Sequence, residues 1–431
     1  MKDVLVLGSG PAGFYTAVLC ASNGLDVTLV EKEDLGGTGF RFGALPVKIL
    51  LDGIKQNPLI SYKQLLEDYH VKMADVQNKL ESDLKEAGVS LVFGEGLFMQ
   101  KDTVKVKDKI IKAKNIVIAT GSRPANISKT AYKTNILTHK EALFMDRLPN
   151  DIIILGGNVE GIEFATFFAR FGVKVTVIEM LEEVLPGNDI DLKQAVIDML
   201  NSLNVGFFTG NKVVELDETT YGAVITLQTG KKLTAEKCLV CLSRLPNIPK
   251  GAGDIGIKYG KEGIAVDQNF LTSVPNVYAV GDVNGSCLMG SAAINQGIST
   301  ALHILGREAS FRNTSYEGIP RAMFVIPEIA GVGLQEWELQ QKGIKYKAIK
   351  HQFARTWRGI SKGYKDGFIK VLVDDKNKLQ GIWMVGKDAS ELVGPLGILL
   401  KQKLGADNIL NGLFVHPSLS EALLDALLKL K

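Results

Sequence analysis

Short apolar runs rich in valine and isoleucine alternate with helical patterns over roughly the first 310 residues of this 431-residue chain. That alternation indicates parallel sheets whose crossover connections are helices. Two segments, 3–31 and 151–179, share one order of strand, glycine-rich turn, helix, second strand and closing glutamate. Because this order is typical of a dinucleotide-binding unit, the pattern predicts two dinucleotide sites in one chain.

The hydrophobic pattern changes after residue 319. Alternating strands are expected at 368–373 and 379–385, followed by helices at 390–404 and 419–430. This block predicts a separate α+β domain. In the earlier part, a helical run is expected at 47–87 and a buried strand at 238–242.

Composition places the chain among globular proteins, since 46% of its residues are hydrophobic and 23% are charged. The net charge is +3, and no basic stripe with interleaved aromatics indicates a nucleic-acid partner. The first strand begins almost at Met1, and no uncharged apolar run of about 18 residues occurs. We therefore expect no signal peptide, no transmembrane segment and a cytoplasmic protein. Four cysteines do not make a disulfide scaffold, and no metal site is predicted.

The first glycine-rich turn contains Gly8, Gly10 and Gly13, and Glu31 ends the next strand. The first glycine permits a tight turn, the second lets a pyrophosphate approach the backbone, and the third lets the helix pack on the strand. The amides at the helix N-terminus then face the phosphates, and Glu31 can accept hydrogen bonds from a ribose diol. The turn therefore predicts a bound dinucleotide.

The second turn keeps Gly156 and Gly161, and Glu179 ends the next strand. Asn158 replaces the glycine that allows close approach, so its Cβ would crowd a phosphate, although asparagine tolerates left-handed backbone geometry. Glu160 adds negative charge near an anionic ligand. Glu179, rather than a basic residue, favours NAD over NADP. Two interpretations stay open, a functional nicotinamide site and a vestigial one.

Further motifs occur in a family order: GGT at 36–38 with Pro46 and Lys48, ATGSRP at 119–124, YAVGD at 278–282, PE at 327–328 with GVGL at 331–334, and HPSLSE at 416–421. Together they resemble the pyridine nucleotide-disulfide oxidoreductases, closest to dihydrolipoamide dehydrogenase, over nearly the whole chain. The resemblance implies an α/β fold with two Rossmann-like domains and a C-terminal α+β dimerisation domain. It implies an FAD-binding domain at 1–145 and 265–315, an NAD-binding domain at 146–264, and a homodimer interface at 316–431.

The same resemblance implies the roles of individual residues. Lys48 and Glu163 should pair beside flavin N5, where hydride arrives. The helix after residue 290 should point its N-terminus at the flavin N1 side, where reduced flavin carries negative charge. Four further residues are implied to bind FAD, with the last of them on the ribityl chain: Thr38, Thr120, Gly121 and Asp282.

The family's two redox cysteines are missing from their usual positions, which here are Gly39 and Ala44. Neither residue can form a thiolate or a mixed disulfide, so dihydrolipoamide oxidation by the family route is not expected. Cys238 and Cys241 form a C-x-x-C sequence, but in an apolar strand their side chains would point to opposite faces. We therefore expect no redox-active cysteine pair.

His416 and Glu421 match the family's catalytic dyad, which the partner subunit delivers. Glu421 would hold the imidazole in one tautomer, and His416 would then be a proton carrier for a non-thiol acceptor. The alternative is a dyad that persists only as part of the dimer interface. The resemblance also implies a cis peptide bond between His416 and Pro417.

These observations predict an FAD-dependent NADH dehydrogenase that passes electrons from reduced flavin directly to a small acceptor such as a quinone. Two alternatives stay open. One is a nicotinamide transhydrogenase or NADH oxidase, neither of which needs a disulfide. The other is a degenerate, non-catalytic FAD-binding dimer, which Asn158, Glu160 and Ser243, at a family glycine position, would favour.

Overall fold

The computed structural model describes residues 1–125, 134–308, 316 and 318–430. The chain divides into two compact units. The first is built from the described parts of 1–131, 137–145 and 242–316. The second is built from the described parts of 132–136, 146–241 and 317–431.

The helices and strands follow in chain order. Residues up to 145 form β1 (Lys2–Leu7), α1 (Pro11–Ser22), β2 (Val27–Glu31), α2 (Ala44–Gln56), α3 (Tyr62–Glu86), β3 (Ser90–Phe93), β4 (Gly96–Gln100), β5 (Thr103–Val106), β6 (Lys109–Ile118), β7 (Ser122–Pro124), β8 (Ile136–Leu137) and α4 (His139–Leu143). Residues 151–240 form β9 (Asp151–Leu155), α5 (Val159–Arg170), β10 (Lys174–Ile178), α6 (Ile190–Ser202), β11 (Gly206–Phe208), β12 (Val213–Thr219), β13 (Gly222–Leu227), β14 (Lys232–Ala235) and β15 (Lys237–Val240).

The remaining elements run from residue 244 to residue 427. They are β16 (Arg244–Pro246), β17 (Val277–Ala279), α7 (Gly290–Ile304), β18 (Arg321–Met323), β19 (Glu328–Gly333), α8 (Glu336–Gln341), β20 (Tyr346–Gln352), α9 (Trp357–Lys362), β21 (Phe368–Asp374), β22 (Leu379–Gly386), α10 (Ala389–Lys401), α11 (Ala406–Leu410) and α12 (Glu421–Leu427). A π-helical turn, Thr38–Phe42, precedes α2.

The first unit is built on a sheet of order β3-β2-β1-β6-β5-β4, with β17 also paired to β6. Strand β1 runs parallel to β2 and β6, as the repeated pattern predicted. Because successive side chains of a strand point to opposite faces, β1 contributes to two cores. Val4 and Val6 pack with residues of α1, whereas Leu5 and Leu7 pack on the other face. A strand buried on both faces accounts for its uninterrupted apolar sequence.

The second unit repeats this arrangement and adds an antiparallel sheet. Strands β11-β10-β9-β15 are parallel neighbours, so β9-α5-β10 has the same topology as β1-α1-β2. The late block forms the antiparallel order β18-β19-β22-β21-β20. Residues of α10, α11 and α12 pack with this sheet in one hydrophobic core. The α/β fold class with a C-terminal α+β part is therefore confirmed.

A buried ion cluster joins the two parts of the second unit. Lys370 on β21 is 2% exposed, and its Nζ lies 2.7 Å from Asp189, 2.7 Å from Asp191 and 2.9 Å from Glu336. These three carboxylates are close enough together to hold a metal ion. Lys370 supplies one positive charge to these three carboxylates and thereby cross-links the start of α6 to the late sheet.

Two predicted elements differ from the structure. The helical run expected at 47–87 is two helices, because Ser61 caps α3 by accepting a hydrogen bond from the Gln64 amide. The strand expected at 238–242 ends at Val240. Cys241 therefore lies outside the strand. The expectation that Cys238 and Cys241 lie on opposite faces of one strand was wrong, because only Cys238 belongs to it. Within the described ranges, none of the helices combines the length and apolarity needed to cross a membrane.

Candidate functional site

The first glycine-rich turn offers the N-terminus of α1 to a ligand. In the part of the chain that the structure describes, no side chain caps this helix, and a Cβ added to Gly10 would meet no heavy atom within 4 Å. Gly8 has φ +103°, which side-chain-bearing residues rarely adopt. A Cβ on Gly13 would lie 1.9 Å from the Gly8 carbonyl oxygen, so the third glycine is required by helix–strand contact. This open turn fits a pyrophosphate.

Glu31 fastens the first turn to the end of β2. Its Oε2 accepts hydrogen bonds from the amide of Ser9 at 2.9 Å and from its hydroxyl at 2.6 Å. Its Oε1 accepts from the amides of Lys32 at 2.7 Å and Glu33 at 2.9 Å. The carboxylate thus positions the turn itself. Its contact with a ribose stays a prediction.

Asp282 lies in a polar cluster assembled from distant parts of the first unit. It accepts a hydrogen bond from the Ser122 hydroxyl at 2.6 Å, and the Arg244 Nε donates to that same hydroxyl at 2.7 Å. Arg244 also donates to the Thr38 hydroxyl at 3.4 Å, and its Nε lies 3.8 Å from Asp282. The structure therefore brings together two predicted FAD residues, Thr38 and Asp282. Neither Ser122, in the 119–124 motif, nor Arg244, which follows Ser243, had a predicted role.

Thr120 and Gly121 are hydrogen-bonded to Asn247. The Thr120 hydroxyl donates to the Asn247 carbonyl at 2.6 Å, and the Asn247 side-chain amide donates back to the Thr120 carbonyl at 3.0 Å. The Asn247 backbone amide donates to the Gly121 carbonyl at 2.9 Å. These bonds continue the pairing of β7 with β16 and hold the segment beside Asp282 in place.

Helix α7 begins at Gly290 as predicted, and among the described residues no side chain caps its N-terminus. Gln296 on this helix is fully buried, and its Oε1 accepts hydrogen bonds from the Gly281 amide at 2.7 Å and the Asn284 side chain at 2.8 Å. Gln296 therefore fixes α7 against the Asp282 segment. This role was not predicted from the sequence, because Gln296 follows Asn295 in a helix that also buries Ser299 and Thr300, so one more polar residue gave no distinct signal.

The second turn has the same frame but a different N-terminus. Gly156 has φ +107°, and a Cβ on Gly161 would lie 2.0 Å from the Gly156 carbonyl oxygen. Asn158 has φ −79° and ψ −178°, so the tolerance of asparagine for left-handed backbone geometry is not used at this position. It is the N-cap of α5, and an N-cap residue has extended backbone geometry. Its Oδ1 accepts from the Gly161 amide at 3.1 Å, and its Nδ2 donates to the Cys241 carbonyl at 2.6 Å.

Glu179 repeats the role of Glu31. It is 9% exposed, its Oε2 accepts from the Gly157 amide at 2.7 Å, and its Oε1 accepts from the Leu181 amide at 2.9 Å. The predicted acid therefore lies at the end of the strand beside the turn. Its preference for NAD over NADP stays a prediction.

The residues expected near flavin N5 lie on two helices. Lys48 is partly buried on α2 in the first unit. Glu163 is 2% exposed on α5 in the second unit, and its Oε1 accepts a hydrogen bond from the Phe324 amide at 2.9 Å. Their predicted pairing stays a prediction.

The positions that carry the family's cysteines are Gly39, in the π-helical turn, and Ala44, the first residue of α2. A Cβ on Gly39 would lie 2.2 Å from Cγ of Pro11. The chain's four cysteines all lie within the described residues: Cys20, Cys238 and Cys241 are buried, and Cys287 is partly exposed.

The side chains of His416 and Glu421 are in contact, and their catalytic role stays a prediction. The predicted cis peptide bond between His416 and Pro417 is confirmed. His416 Nδ1 and Glu421 Oε1 lie 2.8 Å apart, and Glu421 Oε2 accepts from the Ser418 amide at 2.7 Å. These hydrogen bonds, the amide of Ser418 first and His416 second, lower the pKa of the Glu421 carboxyl. The imidazole is 64% exposed and can meet a substrate or a partner surface.

Comparison with known proteins agrees with this geometry. Residues 2–300 match the model for pyridine nucleotide-disulphide oxidoreductases, and residues 319–427 match the dimerisation domain of the same family. The chain is 32% identical to dihydrolipoyl dehydrogenase 2 of Haloarcula marismortui, over 98% of this chain and 95% of that protein. It is 31% identical to the dihydrolipoyl dehydrogenase of Geobacillus stearothermophilus, with the same coverage.

Solved structures share the whole fold. LpdA from Mycobacterium tuberculosis superposes with a TM-score of 0.92 at 24% identity, covering 100% of both chains. The HOCl-induced flavoprotein disulfide reductase RclA from Escherichia coli gives a TM-score of 0.91 at 23% identity, again over 100% of both chains.

The open first turn and the Asp282 cluster fit FAD, and family members use FAD and NAD(H) as cofactors. The matched dimerisation domain supports a homodimer. The chain therefore belongs to the pyridine nucleotide-disulphide oxidoreductase family of flavoprotein oxidoreductases and is close to dihydrolipoamide dehydrogenase.

Proposed function

We propose that this chain is an FAD-dependent NADH dehydrogenase that passes electrons from reduced flavin directly to a non-disulfide acceptor such as a quinone. FAD, when bound, supplies the ring that accepts a hydride and releases electrons. In this proposal residues 1–145 and 265–315 bind FAD, residues 146–264 bind NADH, and residues 316–431 form the dimer interface.

The observation that carries the proposal is the packing at the first missing cysteine. Gly39 has no space for a side chain, because a Cβ there would lie 2.2 Å from Pro11 Cγ and 2.7 Å from its Cδ. Pro11 is the first residue of α1, directly after Gly10 of the FAD turn. A cysteine at position 39 would therefore require the start of α1 to move. Residue type and packing both oppose a disulfide at this position.

Cys238 and Cys241 are poor substitutes for the missing pair. Both are 0% exposed, and burial raises the pKa of the Cys238 thiol. Thiol–disulfide exchange needs an accessible thiolate, which burial disfavours. The backbone around Cys241 is also fixed, since its amide donates to the Leu155 carbonyl at 2.9 Å. These facts support electron transfer that does not pass through sulfur.

The remaining residues have proposed roles in binding and proton transfer. The uncapped N-terminus of α1 orients the FAD pyrophosphate, and Asp282, held by Ser122 and Arg244, bonds the ribityl chain. The Phe324 amide keeps Glu163 in one position for its role beside flavin N5, which it shares with Lys48. His416, oriented by Glu421, protonates the acceptor.

An anaerobic titration tests the first half of the reaction. Stoichiometric NADH should bleach the visible flavin band of the holoenzyme. An unbleached band would end the dehydrogenase proposal and favour the degenerate flavoprotein. The reduced enzyme is then mixed separately with quinones, oxygen and oxidised nicotinamides. Quinones should reoxidise the flavin fastest. Fast hydride transfer to NADP instead would favour the transhydrogenase.

A cysteine variant tests the path of the electrons. C238A/C241A should reduce quinones as fast as the unaltered protein, provided that its thermal unfolding is unchanged. C20A, which removes a buried thiol from the first unit, is the matched control. The proposal would be overturned if C238A/C241A lost quinone reduction while C20A kept it. Efficient lipoamide turnover by the unaltered protein would also overturn it.

The proton-carrier role has its own test. H416A should slow reoxidation by quinone more than reduction by NADH, because a proton is needed when the acceptor is reduced. E421Q keeps a side chain of the same size but removes the carboxylate that orients His416. It should act in the same direction and more weakly. Equal slowing of both half-reactions in H416A would contradict the role.

A further inference from the structure

The second turn satisfies its own helix N-terminus. Asn158 is held at both ends of its side-chain amide, by the Gly161 amide at 3.1 Å and the Cys241 carbonyl at 2.6 Å. The Gly157 amide, one residue earlier, already donates to Glu179 at 2.7 Å. Helix N-terminal amides are the groups that bind a pyrophosphate in such turns. Here one of them is used by the protein itself.

The first turn shows what the second would offer without this side chain. Gly10 has φ −61° and ψ 177°, close to the −79° and −178° of Asn158, so both residues enter their helices in the same way. The carbonyl opposite each turn is also equivalent. A Cβ on Gly8 would meet the Ala119 carbonyl oxygen at 2.4 Å, and one on Gly156 would meet that of Cys241 at 2.2 Å. The Asn158 side chain is the difference.

We propose that Asn158 is a specificity-determining residue: its side chain takes the place of the dinucleotide's pyrophosphate at the N-terminus of α5. A hydride donor that carries a pyrophosphate must displace it and deprive the Cys241 carbonyl of the Nδ2 donor. A dihydronicotinamide without phosphate does not meet this competition. Asn158 therefore lowers the preference of the site for NADH over small dihydronicotinamides. This inference rests on the proposed function.

A dinucleotide can still displace the Asn158 side chain from the Gly161 amide, so the cap weakens dinucleotide binding without preventing it. A phosphate accepts charge-assisted hydrogen bonds, which are roughly twice as strong as the neutral bond from the Gly161 amide to the Asn158 amide oxygen. Glu160, in the first helical turn, stabilises the capped helix and opposes an incoming anion. The cap and this charge act in the same direction.

The test compares two donors on the holoenzyme, NADH and dihydronicotinamide riboside, which has no phosphate. N158G should raise the ratio of kcat/KM for NADH to that for the riboside by about tenfold, the size expected for removing one competing hydrogen bond. NAD⁺ affinity, measured by calorimetry, should rise by a similar factor. An unchanged or lower ratio with unchanged affinity would overturn the inference.

Two further variants separate the cap from the volume of the side chain. N158A keeps a Cβ but removes the cap, and should resemble N158G if the cap rather than the Cβ sets the specificity. N158S keeps a capping hydroxyl and should resemble the unaltered protein. If N158A instead resembles the unaltered protein, crowding rather than capping sets the specificity.

The binding measurement also separates this inference from the proposed function. If N158G binds NAD⁺ more tightly but neither donor bleaches the flavin, the dehydrogenase proposal fails and the role of Asn158 at the turn stands. If NADH bleaches the flavin equally well in all four proteins, with equal NAD⁺ affinity, the dehydrogenase stands and the inference fails.

Discussion

The two glycine-rich turns of this chain have nearly the same backbone and opposite chemistry at the helix N-terminus. Each begins a 12-residue helix after an extended N-cap residue, and each is held by a buried glutamate from the next strand. In the first turn Gly10 leaves the helix amides to a ligand, whereas in the second Asn158 bonds one of them itself. The backbone thus makes a nucleotide site possible, and one side chain determines whether its amides are available.

Charge separates the turns in the same sense. The first turn of α1 contains no acidic residue, whereas that of α5 contains Glu160. An acidic side chain near a helix N-terminus interacts favourably with the helix dipole and repels a bound anion. The first turn is therefore the more favourable of the two for a bound anion.

Thiol reactivity tests whether the core behind each turn stays closed in solution, and it should give the largest effect. Cys20 lies on α1 and Cys238 on β15, and burial raises the pKa of Cys20 to about 12 and also raises that of Cys238. At pH 8 the folded protein should therefore react with iodoacetamide at Cys20 roughly 1000-fold more slowly than the denatured chain, since only the thiolate reacts. Mass spectrometry of the labelled peptides measures both sites. Fast labelling of Cys238 beside a protected Cys20 would mean that the core around β15 opens locally.

Transplanting the cap is the direct test of the comparison. In G10N the new side chain can accept from the Gly13 amide and donate to the Ala119 carbonyl, the counterparts of Gly161 and Cys241. The dissociation constant for FAD should rise roughly 10- to 100-fold, measured by reconstitution of the apoprotein. G10A adds a Cβ that cannot cap, so it measures how far crowding of the pyrophosphate alone weakens FAD binding, and G10N should weaken it further. Equal FAD affinity of G10N and the unaltered protein would break the comparison.

The third glycines should behave alike in both turns. A Cβ would lie 1.9 Å from a carbonyl oxygen at Gly13 and 2.0 Å at Gly161, so alanine at either position must move the helix off its strand. G13A and G161A should each destabilise their own unit by about 1–3 kcal/mol in denaturant unfolding. G394A, on α10, is the control because a Cβ there meets nothing within 4 Å. Only G13A should also lower the FAD content.

The sequence could predict the frame of both turns because that frame depends on local rules. In each of the two segments, 3–31 and 151–179, the strand period, the glycine spacing and the closing acid all lie within 30 residues. The direction of the Asn158 side chain was not predictable in this way. It depends on the Cys241 carbonyl, 83 residues away, and on an N-cap geometry that needs no left-handed backbone.

Other parts of the site were hidden for the same reason. The motif at position 39 shows that a cysteine is absent, but only the fold shows that the Pro11 ring fills the space of its side chain. The cluster of Asp282, Ser122 and Arg244 spans 160 residues of sequence, so no local pattern could predict it. Long-range contacts define this site more than its motifs do.

The charge of Glu160 should give the smallest effect and the one most dependent on salt. E160Q removes a negative charge from the first turn of α5 without removing the Asn158 cap. NAD⁺ affinity should rise about two- to fivefold at low ionic strength, the range expected for a charge at a helix terminus, and the gain should shrink as salt is added. E215Q is the matched control, since it removes a charge from the exposed strand β12 of the same unit. A gain that persists at high salt would mean that Glu160 acts through a direct contact, and the second turn would then differ from the first by shape as well as by charge.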